Sequence, residues 1–106
     1  MYSKTIAVDF DGCLCKNKWP DIGDPNWEAI DELIRRQSEG DKVILWTCRS
    51  GEQLEEAIVW CRTRGLRFDA VNDNTQEAKE FFKGESRKIY ANEYWDDKAV
   101  VVKAEP

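Results

Sequence analysis

Thr5-Ile6-Ala7-Val8-Asp9-Phe10-Asp11-Gly12 is the stretch on which the reading of this chain turns. A run of β-prone residues stops at an aspartate, a second aspartate follows two positions later, and a glycine closes the segment. A short apolar run with polar flanks reads as a buried strand, and the residues just past it lie at the strand's carboxyl end. Lys42-Val43-Ile44-Leu45-Trp46 repeats the pattern and runs into Thr47-Cys48-Arg49. A third strand is expected around Phe68 to Val71 and a fourth ending near Trp95, with Val100 to Val102 adding an edge strand.

Helical spacing fills the gaps. Asp24 reads as an N-cap with Pro25 at the first helical position, and Trp27, Ile30, Leu33 and Ile34 mark one apolar face before Gly40 stops the helix. Ser50 and Gln53 form a capping-box pattern ahead of Leu54, Ala57, Ile58 and Cys61, and Gly65 follows. A short helix from Gln76 to Phe82 takes Thr75 or Asn74 as its cap. Gly12 to Asp24 is polar and irregular, and reads as a loop overhanging the sheet edge. Strands alternating with helices imply parallel crossovers. The expected fold class is α/β: a three-layer, doubly wound, Rossmann-like parallel sheet forming one domain over residues 1–106, with no repeat or linker.

Composition narrows the function. At 106 residues and 42% hydrophobic content there is material for one core but not for a second domain above it. A net charge of −5, with the cations scattered, argues against nonspecific nucleic-acid binding, which needs clustered Lys and Arg. The opening residues lack the apolar length of a signal peptide, and nothing later approaches membrane-spanning length, so no membrane partner is expected. The four cysteines fit neither a disulfide framework nor a paired zinc motif, and reduced thiols in a cytoplasmic protein are the expectation. With no histidine, Ser-His-Asp hydrolysis, Cys-His proteolysis and His-ligated zinc are excluded. Proton transfer falls to carboxylates.

In a doubly wound sheet, ligands bind beyond the carboxyl ends of the strands. Reading off those positions brings together Asp9 and Asp11, Thr47 and Arg49, Asn72 and Asp73, and Asp96 and Asp97. So many carboxylates at one edge repel one another unless a cation lies among them, and oxygen donors without His or thiolate favour Mg²⁺.

These residues carry a family resemblance. Asp9-Phe10-Asp11-Gly12 resembles motif I of the haloacid dehalogenase superfamily, Thr47 after Val43-Ile44-Leu45-Trp46 resembles motif II, Lys88 the motif III lysine, and Asp96-Asp97 after Tyr94-Trp95 the acidic motif IV. The resemblance spans roughly residues 5 to 97. It implies a capless, Mg²⁺-dependent phosphomonoester hydrolase in which Asp9 is the nucleophile and forms an aspartyl-phosphate, while Asp11 is general acid and base. It implies Mg²⁺ held by Asp9, the Asp11 carbonyl and motif IV, with Asp97 direct and Asp96 nearby or through water. Thr47 and Lys88 would bind phosphate and offset its charge, and Gly12, Cys48 and Arg49 are further expected contacts to substrate. Capless members resemble enzymes with large phosphorylated substrates, or with a homo-oligomer covering the active site, so a small phosphorylated molecule and a phosphorylated macromolecule both remain as substrate.

The plainer readings stand beside these. Lys88 lies eight residues before Asp96, so Arg87, Lys83 or Lys79 are alternatives for its role. Arg49 reaches phosphate or pairs with Glu52 or Glu55. Trp19 anchors its loop or touches a leaving group, Asn72 to Asn74 form a turn and cap, and Cys13, Cys15 and Cys48 are packing residues. Trp27, Trp46, Trp60 and Trp95 read as core or interface anchors. A phosphotransferase, a receiver-like signalling domain and an idle scaffold are the competing functions. A receiver would put its acceptor aspartate on a middle strand, and a scaffold is expected to have lost Asp9 or Asp11.

Overall fold

The computed structural model describes residues 3–84 and 86–104. The two apolar runs form β1 (Thr5–Val8) and β4 (Lys42–Leu45), each buried over its last three residues as a strand covered on both faces must be. They pair in parallel with Thr5 opposite Lys42 and Val8 opposite Leu45. β5 (Ala70–Val71) flanks β4 and β6 (Glu93–Trp95) flanks β1, both parallel, giving the order β5-β4-β1-β6. The chain thus steps outward from β1 through β4 to β5, then returns to the opposite side of β1. The result is one compact α/β domain with a radius of gyration of 14.0 Å.

Alternation along the strands sorts the core. Ile6, Val8, Val43 and Leu45 face α1 (Trp27–Ser38), which buries Ile30 and Leu33, and α2 (Gly51–Thr63), which buries Ala57 and Cys61. Ala7 and Ile44 point the other way, against Ile89 and Ala91. Each large aliphatic side chain so buried contributes about 1.5–3 kcal/mol. The short α3 (Gln76–Phe82) is capped by the Thr75 hydroxyl, which accepts from the Ala78 N–H at 3.3 Å. No helix among the described residues is long and apolar enough to cross a membrane.

Several expectations are corrected. The supposed loop over Gly12 to Asp24 holds an antiparallel hairpin, β2 (Cys15–Lys18) and β3 (Asp21–Pro25), turning at Trp19-Pro20. Gly23 is required there, because a Cβ would overlap the Lys16 carbonyl across the bulged pair. Asp24 and Pro25 therefore belong to β3, and α1 is capped by Asn26, whose side chain accepts from the Ala29 N–H at 3.3 Å. Trp27, expected on the buried stripe, stands at the helix start and is 48% exposed. Ser50 is the N-cap of α2, but its side chain makes no capping hydrogen bond. The third strand shrinks to Ala70–Val71 because the Asp69 carboxylate, at 2.8 Å, takes the Val43 N–H that a strand carbonyl would otherwise accept. Val100 to Val102 form no strand and are exposed, since a turn closed on Asp96 by the Lys98 and Ala99 N–H groups ends β6.

Arg36, near the end of α1, forks onto Glu93 at 2.8 Å through each terminal nitrogen and reaches Asp41 at 3.0 Å. One side chain therefore ties a helix end to β6 and to the turn before β4. The Arg36 bonds hold the Glu93 carboxyl down at about 2, against 4.5 for the free group. A depressed carboxyl stabilises the fold above its unfolded value and loses that contribution as pH falls through the folded one. We therefore expect acid denaturation to steepen between about pH 4.5 and 2, and Glu93→Gln to flatten that part of the stability profile when fluorescence-monitored unfolding is measured at successive pH values.

Candidate active site

At the carboxyl end of β1 the Asp9 N–H continues the ladder to the Trp95 carbonyl at 2.9 Å. The Asp9 Oδ1 accepts the Phe10 N–H at 2.8 Å, and Oδ2 takes no hydrogen bond among the described residues. The chain then turns tightly, with the Phe10 carbonyl accepting from Cys13 at 3.2 Å and Leu14 at 2.9 Å. Gly12 sits in this turn at φ +86°, and a Cβ there would overlap the Asp97 carboxylate. Glycine is thus what admits the end of β6 against the end of β1. Gly12→Ala is expected to cost about 1–2 kcal/mol in backbone conformation alone, plus the displacement of Asp97, and chemical denaturation measures the sum.

Three strand ends meet in one cavity of about 370 Å³. β1 contributes Asp9 and Asp11, β4 contributes Thr47, Cys48 and Arg49, and β6 contributes Asp96, Asp97 and Lys98, while the hairpin adds Asn17 and Trp19. β1 and β6 are neighbours at the point where the strand order reverses, the place where an open α/β sheet leaves a crevice. Thr47 is fixed by its N–H to the Asn72 Oδ1 at 2.8 Å, and its Oγ1 accepts the Arg49 N–H at 3.1 Å. The hydroxyl proton stays available to a ligand. Asn72 holds φ 51° to make this contact. Asp73 bonds to Lys79 at 2.7 Å, away from the carboxylates.

Arg49 has a different role from the one expected. It is 2% exposed, and its ion pair goes to Asp11 rather than to Glu52 or Glu55. Nε and Nη2 donate to the two Asp11 oxygens at 2.9 and 2.8 Å. Nη1 donates to the Pro20 and Gln53 carbonyls, and Nη2 also to that of Asp21. All five guanidinium N–H groups are committed inside the protein, so none is left to bind a substrate phosphate.

Burial is the main force raising the Asp9 carboxyl above its ordinary value; repulsion from Asp96, Asp11 and Asp97 adds to it, and the Phe10 N–H opposes it. Ligand atoms of Asp9, Cys13 and Asp97 lie within 4.8 Å of one another. Burial pushes the Cys13 thiol up to about 11, and it donates towards the Trp95 carbonyl at 3.7 Å, while Asp9 and Asp97 supply the carboxylate oxygens of the set. Such a group can offer a carboxylate nucleophile, a second carboxylate for proton transfer and a hydroxyl donor to one bound oxyanion.

Lys88 does not line this cavity. Its Nζ lies 5.9 Å from the Tyr94 ring, in a separate hollow of about 480 Å³ with Ile89 and Tyr90. Besides Arg49, Lys98 lines the carboxylate cavity, directly after Asp96-Asp97, and the strand-end rule reaches it if extended by one residue. Asn17 carried no signal, because no apolar alternation marks its strand.

No family model and no curated protein matches the chain. A solved structure does: a conserved protein from Bacteroides thetaiotaomicron is 43% identical, superposes with a TM-score of 0.83, and aligns over 93% of this chain and 79% of its own. The chain belongs to that protein's family. Among the remaining chemistry in this family member, Cys61 and Arg67 stand six positions apart, the spacing of a cysteine phosphatase loop. Cys61 is fully buried in α2 and its thiol is pushed by burial to about 12, so that alternative is removed.

Proposed function

We propose that this chain is a Mg²⁺-dependent phosphomonoester hydrolase of the haloacid dehalogenase type, with the doubly wound, three-layer arrangement of that fold and no cap. One observation carries the reading: two aspartates from the end of β1 and two from the end of its neighbour β6 line a single cavity together with the Thr47 of β4. The oxygen donors of Asp9 and Asp97, and the glycine that brings them together, suit a hard divalent cation. Bound there, with Asp96 and the Asp11 carbonyl nearby, Mg²⁺ would neutralise charge between nucleophile and phosphate.

The chain's own residues account for the remaining steps. The free Asp9 oxygen attacks phosphorus, and the P–O bond to the leaving group breaks as Asp11 delivers a proton to the departing oxygen. Thr47 donates its hydroxyl to a phosphoryl oxygen, and Lys98, which lines the cavity, takes over the charge-offsetting part expected of Lys88. Asp11 then takes a proton from water, whose oxygen attacks the aspartyl-phosphate, releasing phosphate and restoring Asp9. The cavity lies open beside the hairpin, which suits a large phosphorylated substrate or cover by a second subunit. Four free cysteines fit a cytoplasmic setting.

A panel of small phosphomonoesters assayed with Mg²⁺ and with EDTA tests the reading. Turnover that needs the metal is expected; turnover unaffected by EDTA, or none at all, would overturn it.

A further inference from the structure

The hydrolase reading leaves one buried group without a task. Arg49 is among the largest fully buried side chains of the protein, and a buried charge is tolerated only when paired and hydrogen-bonded. Its central guanidinium carbon lies over two rings, 4.9 Å from the centroid of Phe10 and 4.9 Å from that of Trp19. Its five donors fall on three separate parts of the fold: the Asp11 carboxylate, the Pro20 and Asp21 carbonyls of the hairpin, and the Gln53 carbonyl in the first turn of α2. A lysine in its place has neither the plane nor the fork. Each Asp11 oxygen has two acceptor sites and gives one to Arg49, so the other remains for a proton.

We propose that Arg49 is the positioning residue for Asp11, fixing the orientation of that carboxyl at the cavity and coupling it to the hairpin that carries Asn17 and Trp19. The assignment rests on the hydrolase reading and deepens it. Arg49 touches no reacting atom. It sets the angle at which Asp11 meets the leaving oxygen, and Trp19, 56% exposed, packs against the guanidinium from the hairpin turn. A shift of the hairpin would therefore be felt at Asp11, which is joined to its tip through this one side chain and to its base by the bridge to Cys15.

A positioning role has a signature that loss of stability lacks. Proton delivery matters for an alkoxide leaving group and hardly at all for a nitrophenolate, which departs without it. The experiment follows consumption of glycerol 2-phosphate and of p-nitrophenyl phosphate with enzyme in excess and Mg²⁺ present, so that only the first bond cleavage is read. Arg49→Lys is expected to slow the glycerol ester by about 10- to 100-fold, part of the range assigned to general acid catalysis, and the nitrophenyl ester by less than about threefold. Trp19→Ala, an exposed site that keeps the protein folded even if the buried change does not, is expected to show the same selectivity with a smaller factor. Equal slowing of both esters, or of neither, in the folded variants overturns the assignment of Arg49 while leaving the hydrolase reading intact. Failure of the wild type to cleave either ester overturns the hydrolase reading and takes this assignment with it.

Discussion

Asp9→Asn is expected to abolish the proposed phosphomonoester hydrolysis, with a loss of roughly 10⁴- to 10⁶-fold in kcat, as for removal of a covalent nucleophile. The amide is nearly the same size, and its oxygen still accepts the Phe10 N–H that fixes the Asp9 Oδ1. What disappears is the second carboxylate oxygen and its charge. Stability should move the other way. Burial and three neighbouring aspartates raise the Asp9 carboxyl, so the folded state disfavours its ionised form at neutral pH. A raised acid costs stability above its ordinary value, and a neutral amide removes that cost. The variant is therefore expected to melt at or above the wild-type temperature while losing turnover. An active variant would remove Asp9 from its role, and a variant melting well below the wild type would mean that Asp9 supports the fold.

Phe10→Ala is expected to lower stability by about 3–5 kcal/mol, the range for deleting a buried aromatic ring. Phe10 is 0% exposed, meets Trp60 edge to face at 5.4 Å between centroids, and forms the inner wall against Arg49. The ring joins the turn after β1 to α2 through Trp60. Small domains hold about 5–15 kcal/mol in total, so this one change removes a large share. Urea denaturation measures it, and a loss below about 1 kcal/mol would mean that the site collapses to refill the cavity. Phe10→Leu, which keeps most of the apolar volume, should recover much of the loss.

How much of this was legible can be followed residue by residue. Thr5–Val8 and Lys42–Leu45 are runs long and apolar enough to name themselves, and the glycines after α1 and α2 mark both helix ends at Gly40 and Gly65. The strand-end rule then found Asp9, Asp11, Thr47, Asp96 and Asp97, which the structure gathers in one cavity. The hairpin escaped because its eight ladder positions beyond Cys15 are partly or wholly exposed, so no period-two pattern exists to read. Val100 to Val102 misled for the opposite reason: strong β propensity without a partner makes no strand. Lys88 was singled out by its likeness to a motif lysine, and a place in a motif order does not fix which cavity a side chain enters.

The sequence by itself determined the two central strands β1 and β4, the place of β6, the helix boundaries within a residue or two, and the carboxylates at the ends of β1 and β6, because each depends on local periodicity, turn chemistry and residue type. Only the tertiary structure decided what those residues do to one another. Arg49 reads on paper as a phosphate contact or as a partner of Glu52 or Glu55, yet in the fold it is buried beside Phe10 and Trp19 with every donor spent on Asp11, the hairpin and α2. That outcome depends on the simultaneous approach of three segments distant in sequence. No local rule contains it, since a guanidinium's choice of acceptors is set by which carbonyls and carboxylates desolvation leaves within its reach.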